Sequence, residues 1–480
     1  MLAEDEFPCL VEFSKMRQTI AIVGAGFSGT VLAANLLRLP LSGATDVVLI
    51  ERGPAMGRGV AYADREFPYL LNVPAVRLSA DSKDPSQFLR FAQALDSDID
   101  GEDFLPRALY GDYLQDVLLQ AERAAPHSTR LLRVFDEVRD ITERGPERPF
   151  AVEFAGRPPI DADRVVLALG NPLPRLMPWA AAVGGHRAYR PDPWDLPKTL
   201  AADNSVLIVG NGLTMADVVA ALSQDAARAP LLHTMSRRGL IPLAQTAFRP
   251  TAAQADGEAL LARLNSTRQV LAVSRELARD IQEKGGDWRE VVTFIRQLAP
   301  ALWRRLPETE QRRFVRHLQA HWDIHRHRLP PQLGAHLAAL RSSGKLQVNA
   351  GRIDSVTAAG EQLRVVWRAR GSRGPAATLT VDLVVNATGP DYSLRRSADP
   401  LLRSLRAAGL VSEDALDLGL RTARHGACVD AHGAANRHLY YLGPMLRASH
   451  WEATAAAELR NHAEQLAAHL VADGGSTVAR

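Results

Sequence analysis

Two glycine-rich runs have a spacing that could hold phosphate: Gly24-Ala25-Gly26-Phe27-Ser28-Gly29 and Gly210-Asn211-Gly212-Leu213-Thr214-Met215. In such a run the first glycine permits a tight turn from strand to helix. The second lets backbone approach a pyrophosphate, and the third lets helix and strand pack closely. The helix N-terminus then presents oriented N–H groups to the phosphates. Met215 replaces the third glycine in the second run, so helix and strand are expected to stand further apart there.

The residue that closes the next strand decides what each run could bind. Glu51 lies 27 residues after Gly24, and Arg237, followed by Arg238, lies 27 residues after Gly210. An acid accepts hydrogen bonds from ribose hydroxyls and repels a 2′-phosphate. An arginine pairs with that phosphate through a planar, charge-assisted fork. The first run therefore suits FAD and the second NADPH. Two adenine-nucleotide sites of different kind imply electron transfer between them, NADPH giving a hydride to the flavin.

Four short apolar runs ending in glycine must position these groups: Thr19–Gly24, Arg164–Gly170, Ser205–Gly210 and Val381–Gly389. Such β-branched runs read as buried parallel strands. Helical patterns follow the first and third, making βαβ units. From about residue 252 to 340 strand signals vanish, and Trp288, Val291, Ile295, Leu298 and Leu302 fall on one helical face. Strand-like segments return at Leu346–Val356 and Gln362–Trp367, and Glu452–Leu470 reads as an alanine-rich helix. The expected fold class is α/β, with two Rossmann-like dinucleotide-binding domains and a helical insertion. A discontinuous FAD domain takes residues 16–171 and 390–480. An NADPH domain takes 172–389, with the insertion at about 252–340. Residues 1–15 are expected to be a disordered extension before an alternative start at Met16.

At 480 residues, 46% of them hydrophobic and 23% charged, the chain fits two to four globular domains. The two cysteines, Cys9 and Cys428, form no CxxC pair, zinc ribbon or disulfide framework. They fit a reducing, cytoplasmic setting and leave no dithiol for a flavin to reduce. A net charge of +3 argues for neither nucleic acid nor membrane, and no apolar stretch is long enough to cross a bilayer. The acidic first residues lack the basic region of a signal peptide.

Further segments carry a resemblance. They are Gly57-Arg58-Gly59-Val60-Ala61-Tyr62, Leu71-Asn72-Val73-Pro74, Pro106-Arg107 with Tyr110-Gly111-Asp112-Tyr113, Asp287-Trp288-Arg289, Trp322-Asp323 with Arg326-His327-Arg328, and Leu442-Gly443-Pro444 with Trp451-Glu452-Ala453-Thr454. With the first glycine run, they make the chain resemble the bacterial FAD/NAD(P)-binding proteins, two-dinucleotide-binding-domain flavoproteins related to flavin-dependent N-monooxygenases. Some of that group resemble enzymes that oxidise the amino group of aspartate. The F-x-G-x-x-x-H motif of other flavin monooxygenases is absent; Gly184-Gly185-His186-Arg187-Ala188-Tyr189 is a partial echo. The resemblance implies cofactor contacts at Phe27, Ser28, Arg52, Gly59, Asn72, Gly170, Leu213, Thr214, Gly389, Gly443 and Thr454, beside the glycines and charges above. It also implies that the turn and helix start at Gly443–Thr454 meet the isoalloxazine. Arg447, His450 and Trp451 then become catalytic candidates around flavin and substrate.

His321, His325 and His327 cluster with Asp323, but with no glutamate base between them and many arginines around. They read as lining a surface rather than a metal site, and Arg326 and Arg328 as anion-recognising groups. No metal is expected. The Arg304–Arg328 stretch, with seven arginines and three acids, reads as the solvated face of helices rather than a nucleic-acid site.

These readings converge on an FAD-dependent, NADPH-consuming monooxygenase. It would act through a flavin C4a-hydroperoxide, with dioxygen and a small amine or amino acid as reactants. An NADPH-dependent reductase or dehydrogenase acting on a quinone is the alternative, and a flavin-bound redox sensor without turnover is a third reading.

Overall fold

The computed structural model describes residues 17–41, 43–145, 148–225, 227–246 and 257–476. The expected extension and the alternative start at Met16 lie outside the described residues, as do positions 252–256 of the insertion.

The first sheet has six strands in the order Ala427–Val429, Ala435–Tyr441, Arg164–Leu167, Gln18–Val23, Thr45–Glu51 and Thr129–Phe135. All neighbours pair in parallel except the outermost two, Ala427–Val429 and Ala435–Tyr441. Parallel strands need both faces covered, which explains the runs IAIV and VVLI, buried without alternation. One cover is the helix Phe27–Arg38, packed against the helices Arg107–Arg123 and Ala456–Ser476. Thus the first sheet is completed by strands and a helix from the end of the chain.

The second sheet has seven strands, in the order Ala377–Val381, Gln362–Ala369, Leu346–Ala359, Leu231–Ser236, Ser205–Val209, Leu383–Asn386 and Tyr189–Arg190. Its parallel part is again an apolar core, covered by the helices Leu213–Leu222 and Pro331–Ser342. Between Leu231–Ser236 and Leu346–Ala359 the helices Gly257–Arg263, Thr267–Glu283, Arg289–Arg305, Glu308–His317 and Gln319–Arg326 form the insertion.

A three-stranded antiparallel sheet, Val138–Glu143, Phe150–Phe154 and Ile160–Ala162, also sits in the first unit. The final long helix begins at Ala456, not at the expected Glu452. Residues Trp451–Thr454 form a turn instead. There the Glu452 carboxylate is held against the insertion by Trp322 and Arg326. Among the described residues no helix is long and apolar enough to cross a membrane.

Candidate functional site

The first glycine run turns as its residue types require. Gly24 has φ +102°, and a Cβ there would lie 2.4 Å from the Ala168 carbonyl oxygen. A Cβ on Gly29 would lie 1.9 Å from the Gly24 oxygen, so helix and turn touch backbone to backbone. No side chain caps the helix that starts at Phe27, and its first turn holds no acid. Its leading N–H groups are left for a phosphate. Glu51 ends its strand and accepts hydrogen bonds from the Ala25 amide (2.9 Å) and the Gly53 amide (2.9 Å). The carboxylate therefore ties the glycine turn to the strand end while remaining half-buried. Gly59 crosses above Gly26, with the latter's Cβ position 3.6 Å from the Gly59 Cα. Ser28 is buried, Phe27 stacks on Tyr110, and Arg52 is exposed.

The second run repeats this frame. Gly210 has φ +116°, and a Cβ there would lie 2.2 Å from the Ala387 oxygen. The Gly210 amide donates to the Met235 carbonyl as that of Gly24 donates to Ile50. Met215 is fully buried in the core with Val206 and Ile208. A whole side chain thus occupies the place where the first frame has no room for a methyl group, and Met215 does not obstruct the glycine turn. Among the described residues nothing lies within 4 Å of a Cβ on Gly212, so this turn is open there. No side chain caps the helix starting at Leu213 and Thr214. Asn211 is 6% exposed, and neither polar atom of its carboxamide has a partner among the described residues. Arg237 is exposed and makes no ion pair or hydrogen bond among the described residues. Arg238 instead donates to the Arg316 and His317 carbonyls, closing the end of an insertion helix.

A buried ion pair joins the two frames. Arg107 donates through Nη2 to both Asp217 oxygens (2.8 and 3.1 Å) and through Nε to the Leu70 carbonyl. Asp217 lies on the helix that follows the second glycine run. Burial raises its pKa above the ordinary carboxylate range, and Arg107 opposes that shift. Gln245 adds a bond to the Asn72 carbonyl. Gly170 (φ +70°) and Gly389 (φ +84°) lie at the crossings between the units, where Pro174 bridges Pro390.

The second charged centre lies where the insertion meets the segment after Gly443. Glu452 is 3% exposed and accepts from Arg326 Nε (2.8 Å) and Trp322 Nε1 (3.1 Å). Arg296 pairs with Glu458. Around them are guanidinium atoms with no partner among the described residues: Arg328 Nε and Nη1, Arg447 Nε and Arg289 Nε. Unpaired buried donors of this kind cost ~1–3 kcal/mol each, more when charged, so an anion there would be strongly favoured. Burial, with the positive charges of Arg326 and Arg447, lowers the His327 pKa to about 3. Burial raises that of Asp323, against the pull of Arg447. Arg326, expected to recognise an anion, is committed to Glu452; Arg328 keeps free donors.

Arg447 stacks over Trp451, 3.9 Å from its ring centroid. Trp451 is 5% exposed, against Trp303 and Phe314. His450 contacts Ser449 and His462, and burial followed by His462 brings its pKa down to about 4. Gly443 is extended, and Thr454 lies in the turn before the last helix. His325 meets Trp288 edge-on and bonds the His321 carbonyl. Among the described residues no group of three or more His, Cys, Asp or Glu is arranged to hold a metal.

Sequence reasoning passed over Asp217, Asn211 and the role of Glu452. Only Pro106-Arg107 and Trp451-Glu452, already notable as motifs, pointed toward them.

Residues 21–172 match the family of FAD-NAD(P)-binding proteins. No curated protein matches the chain. Among solved structures, the chain is similar to L-lysine 6-monooxygenase from Pseudomonas syringae at 18% identity and a TM-score of 0.63, covering 96% of this chain and 100% of that one. It is similar to the ornithine N-hydroxylase of Kutzneria sp. 744 at 16% identity and a TM-score of 0.57, covering 95% and 99%. A third is the FAD-bound cadaverine monooxygenase of Erwinia amylovora, at 15% identity and a TM-score of 0.59, covering 94% of each chain. The chain shares the fold of these three structures. Within it, residues 21–172 carry an FAD-NAD(P)-binding domain.

Proposed function

We propose that this protein is an FAD-dependent, NADPH-consuming monooxygenase that N-oxygenates a small amino acid or an amine bearing an anionic group. The observation that carries this reading is the opposed pair of strand ends. Glu51 closes a covered glycine turn, and Arg237, without a partner among the described residues, stands beside an open one. The residues present fit both cofactors. Gly24, Gly26, Gly29 and the uncapped helix at Phe27 and Ser28 would hold the FAD pyrophosphate, and Glu51 its ribose. Arg52, Gly59, Asn72, Gly170, Gly389, Gly443 and Thr454 would line the rest of that site. Gly210, Gly212, Leu213 and Thr214 would hold the NADPH pyrophosphate, with Arg237 on the 2′-phosphate and Arg238, held by the Arg316 and His317 carbonyls, beside it.

Reduced FAD would supply the activated oxygen. The protein's part is then to bind, orient and keep water out. Arg447, pressed against Trp451, would stand beside flavin and substrate, with His450 behind it. Unpaired donors on Arg328, Arg289 and Arg447 would fix a substrate carboxylate. Fixing that end leaves the amino group as the part presented for oxidation. His450 and His327 are held neutral, so neither adds charge near the amine. The ornithine, lysine and cadaverine enzymes named above act on small amines, which supports the reaction class.

The test is anaerobic mixing of the purified yellow protein with NADPH, followed by oxygen and candidate amino acids. Bleaching by NADPH, then an oxygen-dependent transient absorbance that decays faster with substrate, is expected. Flavin that NADPH cannot bleach defeats the reading. Bleaching followed by direct reoxidation with every amine points to the reductase instead.

A further inference from the structure

A cavity of about 500 Å³ lies inside the helical insertion, between helices Thr267–Glu283, Arg289–Arg305, Glu308–His317 and Gln319–Arg326. No catalytic candidate except Trp451 lines it. Its volume falls in the range of small-molecule sites, which are mostly apolar with a few polar groups. Its walls are mainly apolar, including Val270, Leu271, Trp288 and Trp303. The helix Thr267–Glu283 leaves Val270, Leu271 and Val273 only half-buried, so its apolar face is incompletely covered by protein.

The polar lining carries one fixed charge, that of Arg275, beside neutral Thr267 and Ser274. Arg275, His317, His321 and His325 contribute, and no carboxylate does. Arg275 is exposed at the edge. The cations Arg238 and Arg370 act on His321, adding to the effect of its own burial in disfavouring a further positive charge there. A cationic head group would find no carboxylate among the lining residues, whereas an anionic head has Arg275 as its partner.

We infer that this cavity is a second small-molecule site, which takes an apolar chain or ring carrying a single carboxylate. It is separate from the charged centre but shares walls with it. Trp451 carries Arg447 on its ring, Trp322 donates to Glu452, and Arg289 lies 4.7 Å from the Trp288 ring. An occupant pressing on these rings would therefore be felt at the charged centre. This inference stands independently of the proposed monooxygenase reaction.

The probe is sodium decanoate, kept below its micellar concentration and titrated into the full-length protein, with decylamine as the control. Calorimetry and tryptophan fluorescence report binding. Saturable one-to-one decanoate binding, at least tenfold tighter than decylamine, is expected. Val270→Trp, which fills the cavity, should weaken decanoate tenfold or more. Arg275→Glu should reverse the preference toward decylamine while leaving flavin content and NADPH oxidation as in the parent. Ser274→Trp replaces Val270→Trp if circular dichroism shows the latter unfolded. No saturable binding, equal affinity for both probes, or full binding in a folded cavity-filled variant would overturn the proposal.

Discussion

The two glycine-turn frames are nearly superimposable in their bonding, yet they are finished differently. In each, a glycine with positive φ is pressed against an alanine carbonyl, Ala168 or Ala387, and draws its amide bond from the end of the next strand. Above that shared frame they part. The first is covered by Gly59, and its acid already grips the turn. The second is open, its arginine is free among the described residues, and an unpaired carboxamide waits beside the turn. A covered, pre-tied site suits a cofactor that stays. An open, cationic one suits a nucleotide that arrives, reacts and leaves. The difference between resident and visiting nucleotide is thus written in a handful of side chains on one backbone pattern.

The comparison breaks most severely at its shared point. Gly24→Ala and Gly210→Ala each add a clash to a strained φ worth ~1–3 kcal/mol. Gly24→Ala should yield colourless or insoluble protein. Gly210→Ala should stay yellow but resist bleaching by NADPH, as absorbance at the flavin band would show. Equal flavin loss in both would erase the distinction between the frames. Met215→Ala comes next. Emptying a fully buried site costs ~2–5 kcal/mol, so the melting temperature should fall while flavin content holds. The smaller Arg237→Ala effect sharpens the contrast of charge. Losing a bond to a charged group costs ~1.5–3 kcal/mol, so the Kd for NADPH should rise tenfold or more and that for NADH hardly move. Equal change for both nucleotides would remove the basis for preferring NADPH.

The smallest effect is in pH. His233 lies on the strand Leu231–Ser236 of the second frame, 7% exposed, with Nε2 unpaired among the described residues. Burial lowers its folded pKa below the ordinary histidine value. The unfolded chain then takes up the proton first. Stability is present in full above about pH 6.5 and falls as pH drops below it, by at most ~1.4 kcal/mol per pH unit for this group. The matching strand Thr45–Glu51 carries no histidine. Hydrogen exchange at pH 7 and 5 should show protection of the strand Leu231–Ser236 falling on acidification, and His233→Met should flatten that dependence.

Much of the fold was legible because glycine-terminated apolar runs leave few alternatives to buried parallel strands. The insertion was legible from the helical spacing of Trp288, Val291, Ile295 and Leu302. The small sheet Val138–Ala162 was not, since its short alternating strands resemble surface loops. Glu51 and Arg237 could be singled out because each sits at a fixed distance from a glycine turn. The Arg107–Asp217 pair could not, because 110 residues separate its members and neither has a local pattern to declare a partner. The Arg326–Glu452 pair was hidden for the same reason, its members lying 126 residues apart.

The threading of the first sheet bears on the order in which the protein is made. Strand Arg164–Leu167 must wait for its neighbour Ala435–Tyr441, and helix Phe27–Arg38 for Ala456–Ser476. At ~5–20 residues per second, the roughly 270 residues between those strands take on the order of 15–50 s to translate. During that interval the intervening unit can fold on the ribosome while the first stands incomplete, with strand Arg164–Leu167 paired to Gln18–Val23 on one side only. A chaperone that shelters this edge, or a prompt supply of flavin, would matter most in that window.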